Sequence, residues 1–334
     1  MNSIKNLPLS FTKKIGLLIS DSDVELISWK KGEIIRIAIF SNDELGLGRF
    51  VSYLQKNKHE YKNASFRILA NIIGEDYRVE KVAHLIGKYK LDFHHRRMDQ
   101  LFRGISLCMS MVQGREDRGR REDIVLFYGM LTETKVLPWM NAIIKNPDYY
   151  LEGVHAVSFV NLELLKSINS SWRKQSSLLM TIHEKGLLRQ THYDKGDVRF
   201  SRVSKISDEN AEEVAVAIRK ELERTIQYLN SLKISLAQGL DIHFICPAAM
   251  VGQLKELVKG SEKIRFNFHD ASAVAQKIGL TTALGELGHD SSLSLQKMFT
   301  NIWFKQLAKF NQVRYYWLKT FSAVVAMVFA AYGA

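Results

Sequence analysis

A few short stretches hold the side chains that could do chemistry. Ser20-Asp21-Ser22-Asp23 offers Asp21 and Asp23 in one turn, where two carboxylates could face a metal ion. His94-His95-Arg96-Arg97 invites a metal or phosphate reading. Adjacent histidines on a helix point about 100° apart, and no His or Cys follows at the i+4 position that a helical zinc pair needs. A solvated basic face is the simpler reading. In GREDRGRRED, Gly114 to Asp123, the arginines Arg115, Arg118, Arg120 and Arg121 alternate with Glu116, Asp117, Glu122 and Asp123. They could meet an acidic partner surface or be satisfied by their own neighbours. Ser, His and Asp are numerous, but no GxSxG elbow or other nucleophile turn occurs. His183, His192 and His243 stand in strand-like runs beside apolar residues and read as core-edge side chains. Cys108 (in SLCMSM) and Cys246 (in HFICPA) lack metal spacing and read as buried thiols of a reduced compartment. The methionines of SLCMSM read as core packing.

These residues are carried by a pattern that occurs twice. IGLLIS, VELISWK and EIIRIAIF are short, β-branched and separated by Asp-Ser-Asp and Lys-Gly turns, which predicts a three-strand meander. Asn42-Asp43 then caps a helix whose apolar positions are Leu45, Leu47, Phe50, Val51 and Leu54. SFRILANI returns as a strand, and a basic helix is expected from about His94 to Met109. DIVLFYGM reads as a buried strand, Pro138-Trp139 opens a helix, and another is expected over Asn161 to Ile168. Near Ser176 the scheme restarts. SLLMTIH, LLRQTHY and DVRFSRV form a second meander, followed by a long helix with Ser207 as its N-cap and Val214, Ile218, Leu222, Ile226 and Leu229 on one face. DIHFICP, a helix and KIRFNFH complete it. The layout predicts an α/β, duplicated ribonuclease-H-like fold of two lobes, residues 1–172 and 173–300.

The chain has 334 residues, a net charge of +12 and a sequence pI near 9.5. The basic residues are interleaved with acids, and no zinc-finger or RNP signature appears, which argues against nucleic acid. The same balance suits a domain held against anionic lipid. The N-terminus has no apolar core of signal-peptide length. Residues 301–314 read as a basic juxtamembrane segment and residues 315–334 as a transmembrane helix, truncated at its end. A bilayer takes roughly 20 apolar residues to cross. Tyr315, Tyr316 and Trp317 suit the interface, Lys319 can snorkel to the headgroups, and Phe321, Val324, Val325, Val328 and Phe329 face the acyl chains. The alternative is an apolar helix packed on the domain.

With its opening hairpin GLLISDSDVELISWKKGEI, its second series LLMTIHEKGLLRQTHYDKGDVRFSRV and the following helix AIRKELERTIQYLNS, the chain resembles actin-like proteins that build type IV pili and type II secretion systems, the PilM family and the cytoplasmic part of the GspL family. The resemblance spans most of residues 14 to 258 and implies an actin-like ATPase fold. Actin-like ATPases hold phosphates on two hairpin turns, each with an Asp followed closely by Gly. Here Asp21 and Asp23 stand without glycine, no Asp precedes His183-Glu184-Lys185-Gly186, and Cys246-Pro247-Ala248-Ala249 replaces the Gly-Gly turn expected beside adenine. The resemblance therefore implies a non-catalytic scaffold with no cofactor, in which the degenerate site keeps Asp21 and Asp23 as plain turn acids rather than as relics of a magnesium site; an ATP- and Mg²⁺-binding switch is the alternative. Its partners would be other platform proteins, a cytoplasmic motor ATPase or a partner peptide, with a homodimer left open. Its place would be the cytoplasmic face of the bacterial inner membrane.

Overall fold

Alternating apolar runs with tight turns make both meanders, and the computed structural model places them in two sheets that share one five-strand order. The structure describes residues 13–277 and 314–315, except 31–32, 117–118, 184–185, 208–209, 233, 235 and 237–238. The first lobe opens with β1 (Lys14–Ser20), β2 (Asp23–Lys30) and β3 (Glu33–Ser41), then α1 (Glu44–Lys56), the single turn α2 (Lys58–Tyr61) and β4 (Ala64–Asn71). An insertion follows: β5 (Glu75–Val82), α3 (Gly87–Leu101), β6 (Cys108–Arg115) and β7 (Asp123–Met130). After the 3-10 turn Glu133–Lys135, α4 (Leu137–Ile144), β8 (Tyr149–Ala156) and α5 (Val157–Ile168) finish the lobe. The second lobe comprises β9 (Ser176–His183), β10 (Leu187–Asp194), β11 (Asp197–Lys205), α6 (Ala211–Ser231), β12 (Leu240–Cys246), α7 (Ala248–Leu257), β13 (Ile264–Asp270) and α8 (Ala271–Lys277). The residue pair β14 (Arg314–Tyr315) returns to the edge of the first sheet.

The strand orders are β3-β2-β1-β4-β8-β14 and β11-β10-β9-β12-β13, one five-strand order with the short β14 added at the edge of the first sheet. In each set of five, the meander is antiparallel and the last two strands run parallel to the first. The insertion forms its own antiparallel sheet, β5-β7-β6, which the sequence reading left unassigned beyond its central strand. An aromatic group packs one flank of the first lobe, with Phe50 at 5.3 Å and Phe40 at 6.2 Å from Trp139. Trp139 Nε1 donates to Asn42 Oδ1 (2.8 Å), and Asn42 Nδ2 donates to Ser20 O (2.6 Å), tying α4 to the end of β1.

Some local expectations hold and others are corrected. Asp43 is the N-cap of α1, accepting from Gly46 N (2.7 Å). The basic helix begins at Gly87 and ends at Leu101, where the backbone turns out toward Gly104 at φ +79°; the SLCMSM run is therefore not helical and enters β6 at Cys108. On α3, His94 points inward and its Nδ1 shares a hydrogen bond with Ser110 Oγ (2.9 Å), while His95 and Arg96 stay exposed. Asn210, not Ser207, caps α6 by accepting from Glu213 N (2.9 Å), and α5 starts four residues early, at Val157. Cys246 is buried, whereas Cys108 is half-buried; both are free thiols. Tyr315, expected to open a helix, is instead extended and paired with Gly153. Tyr316, Trp317, Lys319, Phe321, Val324, Val325, Val328 and Phe329 lie outside the described residues. Among the described residues no helix is long and apolar enough to cross a membrane.

Two histidines are fully buried in the two lobes. Burial, with Arg67 nearby, pushes His155 down to about 3, and burial pushes His192 down to about 4. A histidine depressed in the fold contributes stability that is present above its unfolded value of about 6.5 and is lost as pH falls toward the folded value. The expected outcome is a loss of about 1.4 kcal/mol per pH unit per histidine between pH ~6.5 and ~4. Urea melts across that window, with His192→Gln expected to flatten the slope, check it.

Candidate functional site

The C-terminal ends of β1 and β4 face the second lobe, the place where an actin-like protein would hold phosphate. Asp21 sits in the β1–β2 turn, half-buried, with Oδ2 accepting from Ile73 N at 2.8 Å. Burial pushes its carboxyl above the ordinary value, and the Ile73 N–H, Lys135 and Arg189 offset this only in part. Asp23 is turned to its own hairpin: its N–H donates to Ser20 Oγ (3.0 Å) and its Oδ2 accepts from Ser22 Oγ (2.7 Å). The two carboxylates thus have different partners, the Ile73 N–H for Asp21 and the Ser22 hydroxyl for Asp23. Among the described residues no group of three His, Cys, Asp or Glu side chains is placed to hold a metal ion.

The segment that Asp21 holds is itself tightly turned. Gly74 adopts φ +91°, and a Cβ there would lie 2.8 Å from Thr132 Cγ2. Only glycine lets the chain pass from β4 into the insertion so close to Thr132. That passage places Glu75, the first residue of β5, opposite the second lobe.

Arg189 meets it there. It lies on β10, is fully buried, and extends from the second lobe across to the first. Its Nε donates to Asn71 Oδ1 (2.9 Å), Nη1 to Glu75 Oε2 and to Ser201 Oγ (2.9 Å), and Nη2 to Ile72 O (3.3 Å). Glu75, with its side chain 2% exposed, also accepts from Tyr128 OH (2.9 Å) and Ser158 Oγ (3.3 Å) through Oε1. Burial and then the Glu75 charge push the Tyr128 phenol well above its ordinary value, so it remains a donor. A guanidinium forks onto one carboxylate, one amide, one hydroxyl and one carbonyl, and nearly every polar atom of the bridge has a partner. Further bonds close the same seam: Tyr193 OH donates to Ser158 O (3.1 Å), and Asn161 Nδ2 to Thr191 Oγ1 (3.2 Å). Gln113 Nε2 of the insertion donates to Val198 O (2.8 Å) of the second lobe.

Sequence reasoning missed this bridge. The available signal was a charged residue in the middle of the otherwise buried run LLRQTHY. Of the turns read for nucleotide, the second falls largely on undescribed residues. At the adenine side, Pro247 is the N-cap of α7 with φ −56° and ψ 145°, and Ala248 is already helical, so a proline and a Cβ stand where a bare turn was sought.

The basic loop is partly spent on its own neighbours. Arg115 Nε donates to Asp123 Oδ1 (3.2 Å), which His84 Nδ1 also contacts (3.0 Å), and Glu116 pairs with Lys81. Arg120 and Arg121 are exposed in the turn, Arg121 at φ +54°; Arg118 lies outside the described residues.

No family model matches the chain, and no curated protein matches it. Among solved structures, a chain of a PilM-PilN type IV pilus biogenesis complex matches at 10% identity with a TM-score of 0.54, over 88% of this chain and 99% of that one. Looser matches are the cytoplasmic domain of EpsL, an inner membrane component of the type II secretion system of Vibrio cholerae (10% identity, TM-score 0.40, 81% of this chain and 97% of that one), and a Bacteroides thetaiotaomicron protein with an actin-like ATPase fold (10%, 0.37, 79% and 94%). At such identity a likeness speaks to fold alone. With two sheets that share one five-strand order on one chain and a match of that extent, the protein has the duplicated actin-like α/β fold.

Proposed function

We propose that this protein is a non-catalytic, actin-like scaffold of an inner-membrane assembly platform for type IV pilus biogenesis or type II secretion. It docks cytoplasmic partners, with its body on the cytoplasmic face. The apparatus is suggested by the breadth of the match to the pilus complex, which takes in nearly all of the matched chain. The non-catalytic part is carried by one observation, the buried Arg189–Glu75 bridge across the lobes. A Mg²⁺–triphosphate needs bare backbone N–H groups and a free carboxylate at that place. The residues present do not fit it: Asp21 already caps Ile73, the first turn has no glycine, and a guanidinium fills the end of β4. The lobes are held by protein–protein bonds where a nucleotide would otherwise set their angle.

Calorimetry of the full chain in detergent with Mg-ATP tests the distinction. No binding heat at millimolar ATP is expected; saturable binding would replace the scaffold with a nucleotide switch. Affinity capture from host membranes tests the apparatus, with pilus or secretion components expected among the co-purifying proteins.

A further inference from the structure

Strand direction gathers lysines from separate segments at one end of the first lobe. β1, β4 and β8 run parallel, so Lys14, Ser65 and Tyr150 start the sheet at the same end. Lys13 and Lys14 lead into β1, α1 descends from the opposite end to Lys56, Lys58 and Lys62 precede β4, and Lys145 joins α4 to β8. All but Lys13 are exposed, and Lys13 lies over the Tyr61 ring at 4.8 Å. Among the described side chains of this end, the carboxylates are Glu60, Asp148 and Glu152, paired with Lys13, Lys58 and Arg67 respectively. The opposite end of the same sheet carries Asp21, Asp23, Asp43 and Glu44 against Lys135 and Arg49, so that end is acidic on balance and the lobe is polarised along its strands.

Two more observations select the partner. The lysines adjoin apolar surface: Ile144 is 46% exposed, and a groove between α1 and α4 is lined by Leu47, Val51, Leu54, Leu137 and Ala142 together with Lys58 and Lys145. Tyr315 pairs antiparallel with Gly153, so the backbone there points toward Tyr149, at the lysine end. The sequence that follows, Tyr316 to Ala334, carries no charge except Lys319 and is largely apolar. Compact ammonium groups beside apolar side chains suit a headgroup layer, whereas recognition of a particular acidic peptide or nucleic acid would favour the planar fork of arginine.

We propose that this lysine-bearing end binds the anionic headgroups of the bilayer, seating the first lobe on the membrane and leaving its acidic end and the insertion turned toward the cytoplasm. The inference rests on the membrane-scaffold reading and adds an electrostatic contact to it. A lysine near an anionic surface is worth about fivefold in binding, so three together amount to roughly 100-fold.

The test is flotation of the full chain with vesicles of neutral phosphatidylcholine and with vesicles containing about one third phosphatidylglycerol. The wild-type chain is expected to prefer the anionic vesicles, and salt is expected to remove the preference. Lys56→Gln/Lys62→Gln/Lys145→Gln changes only exposed side chains and neutralises three charges; circular dichroism will verify its fold. It is expected to bind anionic vesicles roughly 100-fold more weakly, at the level of neutral ones. Equal binding of wild type and triple variant to anionic vesicles overturns the proposal, as does a preference for an acidic peptide with none for the vesicles. A second variant, Val324→Asn/Val325→Asn/Val328→Asn, separates the two readings. It should lose binding to neutral vesicles while keeping the anionic preference; unchanged neutral binding would remove the apolar anchor and leave the lysine contact standing.

Discussion

Arg189→Ala is expected to destabilise the protein by about 3–5 kcal/mol, because it leaves the Glu75 carboxylate buried without its cation. Asn71 and Ser201 lose a donor in the same step. Arg189→Met combined with Glu75→Leu removes both charges, and the loss should shrink well below the sum of the single losses, giving a coupling of about 2 kcal/mol or more. The double variant should still fall short of wild type, since Tyr128 and Ser158 are left without their acceptor. Urea unfolding followed by separate probes in each lobe measures this, because a two-lobed chain need not unfold in one step. Amide exchange at Ile73 should also quicken in Arg189→Ala, as the seam that covers it opens. A single-variant loss below about 1 kcal/mol would mean that the pair is wet in solution and that the lobes are not locked.

Glu133→Ala should be nearly as damaging, although the residue lies outside the cleft. The Glu133 side chain is buried, and one oxygen, Oε2, accepts from both Ser106 N and Leu107 N at 2.7 Å. It fastens the approach to β6 onto the turn that leads back into the first lobe. Hydrogen bonds to a charged acceptor are worth about 1.5–3 kcal/mol each, so the alanine variant is expected to lose roughly 3 kcal/mol or more. Glu133→Gln keeps a carbonyl oxygen in place and should recover about half of that. Chemical denaturation, with hydrogen exchange at Ser106 and Leu107, distinguishes the two. If glutamine and alanine behaved alike, acceptor geometry at this corner would not matter and the attachment of the insertion would have to be sought elsewhere.

What could be read from the sequence was local. The meanders, their turns and the helices after them follow from alternation over a few residues and from Asp, Asn and Gly at the turns, as at Asp194-Lys195-Gly196, where Lys195 and Gly196 both take positive φ. Their repetition gave the duplicated fold, because two sets of elements in the same order make two sheets that share one five-strand order. The absence of glycine between Asp21 and Asp23 was equally visible. Element ends were misplaced where a side chain's destination decides the matter. His94 looks like one of four basic residues until Ser110, sixteen positions on, takes its ring. Asn210 is the cap because its side chain accepts from the Glu213 backbone N–H, whereas the Ser207 hydroxyl reaches only the Glu213 side chain.

Tertiary structure alone decided how the lobes meet and how charge is distributed. Arg189 and Glu75 are 114 positions apart, and no period or spacing links them; only the turn at Gly74 and the direction of β10 bring them together. The lysine end has the same origin, since Lys14, Lys56, Lys62 and Lys145 become neighbours only when parallel strands must begin side by side. Periodicity records which face of an element is apolar. Which charges share a surface, and which share the dry interior, depends on chain crossings that no window of sequence contains.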